Sequence, residues 1–192
     1  YSTRTVKRQR FDKTNVGMAM ETPIVFSIDW EQCKRMWTNH LWPDRPNVRS
    51  MSSMTDISNV DMTIYEKYEP MFFGLHVEGI LVGVNSGHKT SETHYRSRGL
   101  YVMKGYRGKF YGQNLLEATL MQAEKEGCSV CWSLPRRTAL RTYEAVGFEK
   151  HSDWFDSKGR LVSDSEQHRV ITVDADEEDA HCYVTTSVQE LK

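Results

Sequence analysis

This sequence predicts a single α/β domain built on a mixed sheet, and three observations carry the prediction. Apolar runs from Met71 to Val77 and Ile80 to Asn85, divided by Glu78-Gly79, and then His94 to Val102 read as consecutive antiparallel strands. A helix-period stretch, Gln113 to Glu126, then leads to a further apolar run, Cys128 to Leu134; a helical crossover makes the strands it joins parallel. Antiparallel strands followed by strand, helix, strand and helix is a mixed-sheet pattern, and 192 residues suffice for one domain with a sizeable core.

The elements follow in order. Residues 1–20 form a flexible basic segment bearing Arg4, Lys7, Arg8, Arg10 and Lys13, read as a solvated arm or as one that touches a partner; the domain occupies residues 21–192. Ile24 to Ile28 is a short strand. Asp29, with Gln32 three residues on, makes a capping box that opens a helix with Trp30, Cys33 and Trp37 on one face, and Pro43 ends it. From Leu41 to Val60 the chain is rich in Ser, Asn, Asp and Pro, an irregular connection of the kind that carries binding residues. Glu78-Gly79 is a hairpin turn. On the helix from Gln113, the side chains of Leu115, Leu116, Leu120 and Ala123 form a core-facing stripe, and Gly127 supplies a left-handed stop. A helix through Tyr143 stops at Gly147. The tail adds a C-terminal β extension, Phe148 to Phe155, Val170 to Val173 and Tyr183 to Val188. Its turns are Ser157-Lys158-Gly159 and the acidic run Asp174, Asp176, Glu177, Glu178 and Asp179, read as a solvated tip or an attractor of cations. An extra edge strand of the same domain and a strand that pairs two subunits into a homodimer both fit this extension.

Composition removes several function classes. Hydrophobic residues at 39% and charged residues at 27% suit a soluble globular protein. With 25 basic and 26 acidic side chains, no overall field steers the chain to nucleic acid or membrane. The basic residues cluster in one terminal segment without interleaved aromatics, which also argues against nucleic acid. No apolar run approaches the ~20 residues of a membrane span, and the polar, basic start is unlike a secretory leader, so a cytoplasmic protein is expected. Cys128 and Cys131 have CxxC spacing, but no second Cys or His pair completes a tetrahedral site; with Cys33 and Cys182 they read as free core thiols, and no metal is expected.

The chemistry is concentrated between Val102 and Phe148. Tyr101-Val102 ends a strand, Lys104 to Gly112 is a glycine-punctuated basic turn, and a helix starts directly after it. Successive backbone N–H groups at such a turn point outward, and the helix dipole adds partial positive charge, so an anionic diphosphate can be held largely by main chain. Arg107 and Lys109 add charge.

This segment resembles the GNAT superfamily of acyl-CoA-dependent N-acetyltransferases, whose signature after the fourth strand is an Arg/Gln-x-x-Gly-x-Gly/Ala turn opening a helix. Here it reads Arg107-Gly108-Lys109-Phe110-Tyr111-Gly112, with Phe110 in the first glycine slot, where a positive φ is costly. Pro135 to Phe148 resembles the family's Asn-x-x-Ala-x-x-x-Tyr-x-x-x-Gly-Phe helix: Ala139, Tyr143, Gly147 and Phe148 match in register, and Arg136 stands in the Asn slot. The resemblance implies a mostly antiparallel central sheet with a splayed parallel pair and flanking helices. It also implies acetyl-CoA as acyl donor, bound by Tyr101, Val102, Arg107, Gly108, Lys109, Phe110, Tyr111, Gly112, Gln113, Arg136 and Ala139.

On that footing the Val102 N–H is the donor to the thioester carbonyl, and Tyr143 is the acid that protonates the departing sulfur, a phenol whose ordinary pKa near ~10 keeps it protonated at neutral pH. His94 is the candidate base, because a two-residue period puts it on one face with Arg96, Arg98, Leu100 and Val102. His76 and His88 are alternatives, Glu78 reads as a turn residue, and an amine of lowered pKa needs no base. Trp37, His40, Trp42 and Arg45 gather aromatic surface and one fixed charge for an acceptor; equally, the tryptophans pack the helix end onto the sheet and Arg45 is solvated. The expected activity is direct transfer of acetyl to a primary amine of a small molecule in a ternary complex. A protein or peptide N-acetyltransferase, with an open groove in place of a closed pocket, and a non-catalytic binding or assembly module are the alternatives.

Overall fold

The computed structural model describes residues 23–45, 48, 67–156, 159–162 and 180–188. The basic arm, the strand expected at Val170 to Val173, the acidic run and nearly all of the connection beyond Arg45 lie outside them.

Seven strands form one sheet: β1 (Ile24–Ile28), β2 (Met71–Val77), β3 (Ile80–Lys89), β4 (His94–Val102), β5 (Val130–Ser133), β6 (Glu149–Lys150) and β7 (Val184–Ser187), in the order β1-β2-β3-β4-β5-β7-β6. Every neighbouring pair is antiparallel except β4 and β5, which run parallel. The helices are α1 (Trp30–Met36), continued by a π-helical turn Trp37–Leu41, then α2 (Tyr111–Lys125) and α3 (Leu140–Glu144).

The Asp29 capping box forms: its carboxylate accepts from the Gln32 N–H at 2.7 Å, and the Asp29 N–H donates to Gln32 Oε1 at 3.2 Å. Such a pair satisfies two orphan donors of the first turn and contributes roughly 1 kcal/mol. α1 and the π-helical turn after it bury Cys33, Met36 and Trp37 against Phe72 and Val84 on one face of the sheet. On the other face α2 buries Leu115 against Phe73, Leu75 and Val82, and Leu116 and Ala123 against Tyr95, Cys131, Tyr143 and Phe148.

Three readings of the sequence are corrected. β3 runs past Asn85 to Lys89, because Ser86, Gly87 and His88 are buried between neighbours and pair with Arg98, Ser97 and Arg96. The C-terminal strand is not an edge: β7 lies between β5 and β6, so both of its hydrogen-bonding sides are used within its own sheet. Phe148 to Phe155 is mostly not strand, with two residues in β6 and an isolated bridge at Phe155 to Leu161 and His181.

The fourth strand carries the correction that matters for function. Register slips between Val84↔Tyr101 and Ser86↔Arg98, so Gly99 and Leu100 together stand opposite Asn85, and Gly99 is left-handed at φ 72°. This bulge reverses the inward-outward alternation. Arg96 and Arg98 lie over Trp132 and over Trp37 and Trp42, whereas Leu100 and Val102 pack on the α2 side. His94 therefore does not share a face with Leu100 and Val102.

Candidate active site

β4 and β5 are paired only from His94↔Val130 to Arg96↔Trp132. From Ser97 onward β4 diverges, and the gap opens into a cleft of about 660 Å³. At its apex the Ser133 hydroxyl donates to the Ser97 carbonyl at 2.8 Å, tying the two strands where they part.

The main chain of β4 presents a donor to this gap. The Met103 N–H bonds to Val82 O on β3 at 2.8 Å, so by strand alternation the N–H and C=O of Val102 point away from β3, toward the gap. The Val102 carbonyl accepts from Arg107 Nε at 2.9 Å, which fastens the basic turn to the strand end.

The turn itself forms an open cradle. Gly108 sits at φ 76° with no atom within 4 Å of the place a Cβ would take. Phe110 precedes α2 in a left-handed conformation, φ 63° and ψ 5°, and no side chain caps the helix. The first bond of α2 runs from the Asn114 N–H to Phe110 O at 3.1 Å. The N–H groups of Tyr111, Gly112 and Gln113 precede that bond and belong to the helix's orphan donors. Among the described residues no carboxylate lines the cleft, so donors, dipole and Arg107 act together without an opposing charge. This is the environment a diphosphate requires.

Tyr143, carried by α3, is 2% exposed and reaches the apex, where its Oη lies 3.2 Å from Ser133 Oγ. Burial pushes the phenol above its ordinary pKa, offset in part by the hydroxyls of Ser133 and Ser97. Phe148 packs edge-on against its ring at 5.1 Å and fixes its orientation.

Of the residues expected around the donor, Tyr101, Val102, Arg107, Gly108, Phe110, Tyr111, Gly112, Gln113, Arg136 and Ala139 all line the cleft; Lys109 does not, its ammonium lying over the Tyr106 ring. Of the acceptor set, His40 and Trp42 line the cleft, with His40 stacked on Tyr101 at 5.5 Å. Trp37 is wholly buried and donates from Nε1 to the Gly99 carbonyl at 2.7 Å, so it packs the helix end onto the sheet. Arg45 lies over the outer Trp42 ring at 4.8 Å and is absent from the lining.

The structure does not bring His94 to the cleft. It stands at the paired end of β4, exposed, with Nδ1 held by Thr93 and Ser91 hydroxyls at 2.9 and 3.2 Å. Of the alternatives, His88 is fully buried on β3; burial, then the charges of Arg96 and Arg98, lower its pKa to about 3. The imidazoles that do line the cleft are those of His40 and His181. His181 carries no signal in the sequence, because it arrives from the far end of the chain through its bridges to Arg136 and Phe155. Arg136 crosses the cleft to Leu41 O at 3.5 Å.

Among the described residues no group of three or more His, Cys, Asp or Glu side chains gathers to hold a metal ion, and no helix is long and apolar enough to cross a membrane. All four cysteines are free and buried.

Residues 34–148 match the model of the acetyltransferase (GNAT) family. No curated protein matches the chain. Among solved structures, the IAA acetyltransferase from Bacillus cereus superposes with a TM-score of 0.57 at 16% identity, covering 86% of this chain and 99% of its own. A ribosomal-protein alanine N-acetyltransferase from Escherichia coli gives 0.54 at 17% identity, over 89% and 97%. A GNAT-family acetyltransferase from Staphylococcus aureus gives 0.55 at 12% identity, over 88% and 100%. At these identities the likeness is one of fold.

Proposed function

Because the chain belongs to the GNAT family of acetyltransferases, we propose that it transfers an acetyl group from acetyl-CoA to a primary amine of a small molecule within one ternary complex. The observation that carries this reading is the parting of β4 from β5 beyond Arg96, with the Val102 N–H directed to the gap and Tyr143 at its apex. Acetyl-CoA supplies an activated thioester. The orphan N–H groups at the start of α2, the open cradle at Gly108 and Arg107 suit its diphosphate.

The chain's own residues then divide the work. The Val102 N–H stabilises negative charge developing on the carbonyl oxygen, a role in which one preorganised donor contributes ~3 kcal/mol. Tyr143 Oη gives its proton to the departing sulfur, and its raised pKa keeps that proton in place at neutral pH. His40, which lines the same cleft as Tyr143 and is stacked on Tyr101, is the imidazole on the α1 side that takes the amine proton. Trp42 supplies an apolar wall for the acceptor. A small acceptor is favoured over a polypeptide because Arg136 reaches Leu41 O across the cleft and narrows the α1 side.

The reading is tested by calorimetric titration with acetyl-CoA of the wild type and of Gly108→Asp, which puts a carboxylate into the cradle. Saturable binding by the wild type, lost in the variant with its circular dichroism unchanged, is expected. No binding by the wild type overturns the donor assignment. A subsequent amine screen that yields transfer only to protein amino termini or lysines overturns the acceptor assignment alone.

A further inference from the structure

Phe110 holds a conformation and a position that packing among the described residues does not explain. Its backbone is left-handed at φ 63°, where its Cβ is crowded by the following carbonyl. Its ring is 70% exposed and joins none of the apolar clusters among the described residues. Glycine would remove both penalties at once. Strain of this kind, held by the surrounding structure, clusters at active sites and ligand clamps.

The position says what the ligand group is. Phe110 immediately precedes the orphan N–H groups of Tyr111, Gly112 and Gln113 and lines the cleft beside Gly108. If a diphosphate rests on those donors, the next group outward on an acyl-CoA is its adenosine, the one part of that molecule with an aromatic face. A purine laid on an exposed phenyl ring covers apolar surface on both partners and needs no hydrogen-bond readout. We propose that Phe110 is the stacking platform for the adenine of the acyl-CoA donor. This rests on the acetyl-CoA reading above and assigns a residue that fixes the donor's nucleotide end.

The test compares acetyl-CoA with acetyl-phosphopantetheine, which lacks the 3′-phosphoadenosine and one of the two diphosphate phosphates, by calorimetric titration of the wild type, Phe110→Ala and Phe110→Trp; the comparison is between variants for each ligand. Phe110→Ala is expected to weaken acetyl-CoA about tenfold or more and to leave acetyl-phosphopantetheine unchanged, while Phe110→Trp retains wild-type affinity for both. Phe110→Gly, which relieves the left-handed backbone, is expected to melt no lower than the wild type while showing the same adenosine-dependent loss. Equal weakening of both ligands by Phe110→Ala, or weakening of neither, overturns the proposal. A wild type that binds neither ligand overturns the donor reading itself, an outcome separate from the failure of Phe110 alone.

Discussion

Replacing Gly99 by alanine tests the bulge that sets which face of β4 each side chain takes. The added Cβ would stand 2.3 Å from Trp37 Cζ2 and 2.4 Å from Cε2, with the backbone at φ 72°. The left-handed conformation costs a residue with a Cβ about 1–2 kcal/mol. Trp37 cannot retreat cheaply, since it is fully buried between Trp30, Phe72 and Trp42 and its Nε1 is tied to the Gly99 carbonyl. Overpacking of such a site costs a further ~1–3 kcal/mol. Together the expected loss is roughly 2–5 kcal/mol, a large share of the ~5–15 kcal/mol that holds a domain folded. Gly79→Ala is the control, because Gly79 has a similar φ of 77° and nothing within 4 Å of its Cβ position, so it reports the backbone cost alone. Urea unfolding followed by far-UV circular dichroism gives both values. If the two variants lose the same stability, Trp37 does not pin the bulge and the packing argument is wrong.

Three further outcomes are expected. Tyr143→Phe removes the phenolic hydroxyl proposed as proton donor and leaves the ring, so kcat should fall about 100-fold or more with the Kd for acetyl-CoA unchanged; a fall of less than threefold would remove Tyr143 from the chemistry. His88 should make the fold acid-sensitive: its folded pKa of about 3 lies below the ordinary 6.5, so as pH drops below 6.5 the unfolded chain takes up a proton that the folded chain refuses. Stability is then lost by about 2 kcal/mol by pH 5, and that slope should be absent from His88→Gln. The cysteines should resist thiol reagents in the native protein. Burial raises all four, Cys131 to about 12 and Cys182 to about 11, and rapid labelling of any one before unfolding would contradict this.

What the sequence determined by itself is local or carried by a contiguous motif. Asp29 and Gln32 are three residues apart, and their reciprocal bonds need only one turn of helix. The turn from Arg107 to Gly112 forms its open cradle from consecutive residues, and Tyr143 and Phe148 are placed by one short helix and its exit. Strand direction from β2 to β5 was equally legible, because two short hairpin connections and one helical crossover join these strands and each permits one direction.

Tertiary structure decided whatever depends on residues distant in sequence. Two-residue periodicity put His94 beside Val102, but alternation survives only while both strands advance together, and the extra residue at Gly99 breaks it for reasons that lie in Trp37, on another element. The burial of Trp37 and the exclusion of Arg45 from the cleft follow from how the π-helical turn sits against β4. The meeting of His40, Arg136 and His181 at one cleft joins three distant parts of the chain. No spacing encodes it, because β7 had first to enter the sheet between β5 and β6 to carry His181 there.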